Sequence, residues 1–367
     1  MTQEKNGAIM LEKRLINGNE ALGYGALYAD CRCYFGYPIT PQNEVVEFFA
    51  RELPKVGGVF VQTESEVSSI NMLYGAAATG VRAMTSSSST GFSLMQEGIS
   101  TLAASELPCV IADVQRGGPG GGNTQTSQMD YMQVTRGGGN GGYHNIVLSP
   151  ASVQETFELV QLAFCLADKY RHPVIILTDA IIGQMQEGLE LHRLDFGPLP
   201  DKKSWALTTV GDHDDPGRFI QNAPGILGSY RDYMIRITKK YQEMTEKEVR
   251  YQAGHTEDAD LIVVSFGSSA RSSLWAYHQA RKEGLRVGFI RPITLWPFPT
   301  QIIRAAAQHT KKFVVVEDNL GQMLRDVQAA VQDKAEVHLV GIAHRHLVTS
   351  SGMIFPKTVL QEVKRLI

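Results

Sequence analysis

Between Asn17 and Gly183, short apolar runs alternate with stretches of helical period. CRCYFGY (31–37), GVFVQT (58–63), VRAMTS (81–86), PCVIADVQ (108–115), NIVLSP (145–150) and PVIILTD (173–179) read as strands, the last following a helix over Ala151 to Tyr170. Continuous apolar runs of this length suit strands buried on both faces, so the rhythm predicts an α/β fold with a mostly parallel sheet covered by helices on both sides. From Asp258 to the end a second set appears: LIVVSFG (261–267), RVGFI (286–290), KFVVVED (312–318) and VHLVGI (337–342), with a helix predicted over Ala270 to Glu283. It predicts a second, smaller α/β domain. The expected division is 14–188, an extended linker over 189–257, and 258–367. The linker carries Pro198, Pro200, Pro216 and Pro224 and room for one helix in the charged stretch Tyr230 to Arg250.

The 367 residues fit about two domains. A hydrophobic share of 43% and a net charge of −3 describe an ordinary globular chain with no electrostatic footprint for nucleic acid or an anionic membrane. No leader pattern opens the sequence and no run of about 18 apolar residues could span a bilayer, so a cytoplasmic location is expected. Cys31, Cys33, Cys109 and Cys165 are scattered, with no CxxC pair and no Cys/His spacing suited to a metal. No metal site is expected on this chain, and any redox cluster belongs elsewhere.

The unusual chemistry sits where strands end, the place at which α/β sheets build their sites. GYPITP (36–41) follows the first strand, and its two prolines stiffen the loop that carries Thr40; the same residues also suit a plain helix entry with Thr40 or Gln42 as the cap. VQTESEVSS (61–69) places Glu64 and Glu66 at a helix start, where a carboxylate is favoured by free amides. A buried Glu66 could instead share a proton with a ligand nitrogen. The run Ser86 to Thr90 offers hydroxyls and amides to a polar ligand, or a simple cap to the helix predicted over Phe92 to Ala104. No His is placed to activate a serine, and no G-x-S-x-G elbow occurs. QRGGPGGGNTQTSQMD (115–130) brings Arg116, a planar fork suited to a carboxylate, onto a glycine loop that is neither a P-loop nor GxGxxG. A second glycine group, Gly137 to Gly142, suits a lid or an idle surface loop.

GYPITP, the ESE of Glu64 to Glu66, TSSSSTGFSLMQEG (85–98), ELPCVIADVQRGGPG (106–120) and SQMD (127–130) together resemble the alpha subunit of 2-oxoacid:ferredoxin oxidoreductases, and look most like the 2-oxoisovalerate (3-methyl-2-oxobutanoate) branch. RPITLWPFP (291–299) and VVVEDNLGQM (314–323) extend the resemblance into the second domain. It implies a pyrimidine-type thiamine diphosphate-binding domain followed by a transketolase C-terminal-like domain. It also implies oxidative decarboxylation of a 2-oxoacid to acyl-CoA and CO2, with coenzyme A as cosubstrate and ferredoxin reduced. By motif, Glu66 matches the glutamate at N1′ of the aminopyrimidine, and Thr40 and Arg116 match the contacts to the 2-oxo and carboxylate groups. Ser88 and Thr90 are the expected further cofactor contacts.

The magnesium–diphosphate half of such a site is missing: the only Gly-Asp pair, Gly211-Asp212, continues as HDDPGRF in the linker. A beta subunit carrying that diphosphate and Mg²⁺ site is therefore expected, with a ferredoxin-like subunit for the iron-sulfur clusters and a gamma subunit as a further partner. Two alternatives stand beside this reading. One is a 2-oxoglutarate enzyme, in which Arg82, Arg136 or His144 would anchor a second carboxylate; the other is a non-catalytic scaffold subunit.

Overall fold

The computed structural model describes residues 13–207, 218–226, 228–343 and 353–367. Gly211-Asp212 lies outside the described residues.

The chain begins with β1 (Lys13–Asn17) and α1 (Gly18–Tyr28), then alternates through β2 (Cys33–Gly36), α2 (Asn43–Glu52), β3 (Val59–Gln62), α3 (Glu66–Ala78) and β4 (Ala83–Ser87). Two short helices, α4 (Thr90–Leu94) and α5 (Gln96–Ala104), stand where one was predicted, and β5 (Cys109–Gln115) follows. Next come α6 (Tyr131–Thr135), β6 (Ile146–Leu148), α7 (Val153–Tyr170), β7 (Pro173–Asp179), α8 (Ala180–Gln184) and β8 (Gln186–Glu190). The second half runs α9 (Tyr230–Lys247), β9 (Tyr251–Gly254), β10 (Leu261–Ser265), α10 (Gly267–Lys282), β11 (Val287–Pro292), β12 (Thr294–Trp296), α11 (Thr300–Ala306), β13 (Lys312–Val316), α12 (Met323–Val331), β14 (Glu336–Val340) and α13 (Pro356–Leu366).

Among the described residues, the first sheet has the order β12-β6-β7-β5-β4-β2-β3, parallel throughout except for β12. Its central strands β5 and β7 are buried along their whole length, which is why CVIADVQ and PVIILTD read as unbroken apolar runs. Helix α7 is started by the Ser152 hydroxyl, which accepts from Glu155 N at 3.1 Å, and buries Phe157, Val160 and Phe164 on one face. Helix α1 lies close across it because Gly25 has no side chain: a Cβ there would sit 2.6 Å from the Phe157 carbonyl oxygen. The second sheet runs β14-β13-β10-β11-β9, with β9 antiparallel at its edge, and β1 pairs with β8 in a separate ribbon.

The halves are tied together. Strand β12, from the second half of the sequence, completes the edge of the first sheet, and one apolar cluster runs from Phe35 and Ile111 to Ile262 and Phe313. Gln128 is the polar hinge of the contact. Its side chain donates to the Phe266 carbonyl at 2.9 Å and accepts from Ser269 Oγ at 2.7 Å and Asp318 N at 2.9 Å.

Candidate active site

Because β3, β2, β4 and β5 are consecutive neighbours in one parallel sheet, their carboxyl ends open on one edge. Thr40, Glu66, Ser88, Thr90 and Arg116 all follow those ends, and hydrogen bonds join Arg116 to Thr40 and to Thr90. Arg116 Nη1 donates to the Thr40 carbonyl at 2.8 Å, and Nη2 donates to Thr90 Oγ1 and to the Gly121 carbonyl, each at 3.2 Å. All three acceptors are neutral, so the guanidinium keeps its charge for an incoming anion. Its Nε is buried without a partner among the described residues.

Glu66 opens α3, whose cap is the Ser65 hydroxyl, and the residue is 4% exposed. Ser87 Oγ donates to Glu66 Oε1 at 3.3 Å. Gly91 makes room for the acid: a Cβ at that position would lie 2.2 Å from Glu66 Oε1 and 2.1 Å from Ser87 Oγ. The Ser88 hydroxyl, one residue past β4, is buried with no partner among the described residues. A buried carboxylate after β3 and an orphaned hydroxyl after β4, on the two strands that flank β2, fit a ligand ring that offers nitrogen atoms at its edge. Glu64, by contrast, is exposed and accepts from Ser68 Oγ, a bond that, with its own backbone amide, lowers its pKa; it serves the helix start.

Gln42 occupies the N-cap position of α2, but its side chain makes no capping hydrogen bond among the described residues. Its side chain is buried, accepting from Ser86 Oγ at 2.5 Å and donating to the Tyr37 carbonyl at 3.2 Å, so it ties the GYPITP loop to the end of β4. Arg82, Arg136 and His144, the groups weighed for the 2-oxoglutarate alternative, are each engaged with another partner. Arg82 pairs with Asp168 at 2.9 Å at the opposite end of β4, Arg136 reaches Asp326 of α12 at 2.5 Å, and His144 stacks on Trp296. The second glycine group is a packed turn at its start, since a Cβ on Gly138 or Gly139 would meet Gln96 at 1.8 or 2.6 Å. The cysteines are free, and burial pushes the Cys31 thiol up to about 12. No group of three His, Cys, Asp or Glu side chains able to hold a metal occurs among the described residues.

Nothing in the sequence sets Ser89 apart from its neighbours in the Ser86 to Thr90 run, or gives Asp113 or Asp130 a role. Ser89 has a left-handed φ of 31°, a conformation that costs a non-glycine residue roughly 1–3 kcal/mol. Its N–H donates to Asp113 Oδ1 at 3.0 Å and its hydroxyl donates to Asp130. Burial pushes Asp113 well above the ordinary carboxylate range, helped by the charge on Asp130. Burial also lifts Asp130, to about 6, against the Ser89 hydroxyl and the positive charge of Arg116.

Residues 24–250 match the family model described as Pyruvate flavodoxin/ferredoxin oxidoreductase, thiamine diP-bdg, and 259–349 match Pyruvate:ferredoxin oxidoreductase core domain II. The chain belongs to the 2-oxoacid:ferredoxin oxidoreductase family. It is 46% identical over 317 residues to the ketoisovalerate oxidoreductase subunit VorB of Methanothermobacter thermautotrophicus, covering 86% of this chain and 89% of that one. The 2-oxoglutarate synthase subunit KorA of Methanothermobacter marburgensis is 40% identical over 360 residues, covering 90% of this chain and 94% of its own. The 2-oxoglutarate:ferredoxin oxidoreductase of Magnetococcus marinus, solved with 2-oxoglutarate, coenzyme A and succinyl-CoA bound, superposes with a TM-score of 0.83 at 27% identity over 96% of this chain; the match spans 65% of that chain. A split-gene transketolase at 15% identity and TM-score 0.56 shares the fold alone. This family member is thus a subunit of an oxidoreductase that works as a complex. No helix among the described residues is long and apolar enough to cross a membrane.

Proposed function

We propose that this chain supplies the pyrimidine-side half of a thiamine diphosphate active site that oxidatively decarboxylates a branched-chain 2-oxoacid, with 2-oxoisovalerate favoured, to acyl-CoA and CO2. The observation that carries the reading is the Arg116 fork held on three neutral oxygens beside the buried carboxylate of Glu66.

Thiamine diphosphate, when bound, supplies the carbon nucleophile and the electron sink that a 2-oxoacid needs to lose CO2. Glu66 holds a proton at N1′ of the aminopyrimidine, and the Ser88 and Thr90 hydroxyls line the same pocket. Arg116 binds the C1 carboxylate of the substrate, and Thr40, on its proline-stiffened loop, faces the 2-oxo group. Fixed donors aimed at the substrate need no reorganisation when charge moves. A beta subunit supplies Mg²⁺ and the diphosphate contacts, a ferredoxin-like subunit carries the clusters that pass electrons to ferredoxin, and coenzyme A accepts the acyl group; the assembly works in the cytoplasm.

A branched-chain substrate is favoured because a second carboxylate would need a second aimed cation to offset its desolvation. The cations weighed for that role, Arg82 and Arg136, are engaged with Asp168 and Asp326. The test is kcat/KM of the whole complex with a viologen acceptor across 2-oxoisovalerate, pyruvate and 2-oxoglutarate. A preference for 2-oxoisovalerate is expected; a clear preference for 2-oxoglutarate would overturn the substrate assignment.

A further inference from the structure

The backbone at the end of β5 is fixed by a closed ring of hydrogen bonds that the proposed chemistry leaves unused. Arg116 N–H donates to Ser89 Oγ at 3.0 Å, and the Ser89 hydroxyl donates onward to Asp130 Oδ2. Asp130 is held in turn, because its own N–H donates to Gln115 Oε1 at 3.1 Å, the side chain next to Arg116 on the strand. Gln115 Nε2 anchors the ring to the Thr178 carbonyl of β7 at 3.1 Å. Ser89, Asp113 and Asp130 are all buried. A non-glycine residue held at a φ of 31° by two buried carboxyl groups is over-determined, and such strain persists where the surroundings enforce it.

We propose that Asp130 is a positioning residue for the 2-oxoacid carboxylate, acting through Ser89 to fix the strand end from which Arg116 reaches the crevice. The proposal rests on the reading of Arg116 as the carboxylate anchor. It gives the SQMD segment one job with two ends. Gln128 clamps the segment to the second half of the chain through Phe266, Ser269 and Asp318, and Asp130, two residues on, transmits that fixed position to Ser89 and Arg116. The docking of the second half thereby sets where the substrate carboxylate is held. Only an acceptor is required at position 130 for the Ser89 hydroxyl, so an amide should serve where a methyl cannot.

The experiment is steady-state kinetics of the assembled complex carrying Asp130→Ala, Asp130→Asn, Ser89→Gly or Arg116→Ala, with the 2-oxoacid varied and thiamine diphosphate saturating. Asp130→Ala should raise KM about tenfold or more while kcat stays within about threefold, the pattern of lost ground-state binding. Asp130→Asn should restore KM to within about threefold of wild type, since its carbonyl oxygen still accepts from Ser89. Ser89→Gly relieves the left-handed φ and so should keep or raise Tm, yet it removes the relay and should raise KM as Asp130→Ala does. A structural role alone would lower Tm and leave KM in place. Wild-type KM in Ser89→Gly overturns the proposal, also where Asp130→Ala fails to assemble. If Arg116→Ala raises KM but Ser89→Gly does not, only the positioning role fails; if Arg116→Ala leaves KM unchanged, the anchor reading fails and takes the proposal with it.

Discussion

Arg116, at the end of β5, donates from Nη1 to the backbone carbonyl of Thr40, beyond the end of β2, at 2.8 Å and across 76 positions of sequence. The bond spans β4, the strand between them, so the two residues assigned to the substrate are set relative to each other by sheet register rather than by loop flexibility. Lysine at position 116 lacks the planar fork that lets Nη1 and Nη2 reach these separate acceptors, since its donors all radiate from one nitrogen. Arg116→Lys is expected to raise KM for the 2-oxoacid roughly tenfold to a hundredfold, the worth of one or two charge-assisted hydrogen bonds, and to lower kcat less; initial-rate kinetics on the complex measure it. An unchanged KM would mean that the substrate carboxylate is held elsewhere.

Gly91→Ala probes the space behind Glu66. The added methyl would fall 2.2 Å from Glu66 Oε1 and 2.1 Å from Ser87 Oγ, so the carboxylate must swing aside. The expected result is a destabilisation of roughly 1–3 kcal/mol by thermal unfolding, together with weakened thiamine diphosphate binding by the complex. Wild-type cofactor affinity in a folded variant would show that the ligand does not depend on where Glu66 points.

Asp318 gives the chain a pH dependence of defined sign. Both of its carboxylate oxygens are buried without a partner among the described residues, and burial, with the charge on Asp179, pushes it up to about 8. Its folded pKa lies above the ordinary carboxylate value near 4, so the native state binds more protons between those limits and loses stability as pH rises through the window. Chemical denaturation of wild type and Asp318→Asn from pH 4.5 to 8.5 should therefore diverge, the variant gaining relative stability as pH increases. Parallel curves would place the Asp318 pKa at its ordinary value.

The strand ends that carry Thr40, Glu66, Thr90 and Arg116 were legible because parallel strands buried on both faces leave unbroken apolar runs, and because a parallel sheet sends successive strand ends to one edge. Strands β1, β8, β9 and β12 were not legible. KRLIN and QEGLE are half exposed, YQAG is an edge strand, and TLW is three residues long and joins the sheet of the other half. Each is specified by its partner rather than by its own period. Arg136 was a candidate anchor for a second carboxylate, and its engagement with Asp326 depends on a residue 190 positions away. Ser89 was one serine among four in sequence. Only its left-handed backbone and two buried carboxyl partners set it apart, and neither leaves a mark on a linear pattern.

The isolated chain should bind thiamine diphosphate and Mg²⁺ weakly and oxidise no 2-oxoacid. On the reading proposed above it holds only the pyrimidine side of the site, and among its described residues no cluster of His, Cys, Asp and Glu suits a metal ion. Titration calorimetry on the purified chain and on the assembled complex should give strong binding only for the second. Tight binding to the chain alone would place a diphosphate site on it.

The most direct measurement is turnover of the assembled complex with Glu66→Gln at saturating thiamine diphosphate, alongside Glu64→Gln as the exposed control. An amide in the buried position cannot share a proton with the aminopyrimidine, so turnover should fall roughly a hundredfold or more while the complex still assembles, and the control should stay close to wild type. Near-normal decarboxylation by the Glu66→Gln complex would contradict the assignment of this crevice as the pyrimidine half of the active site.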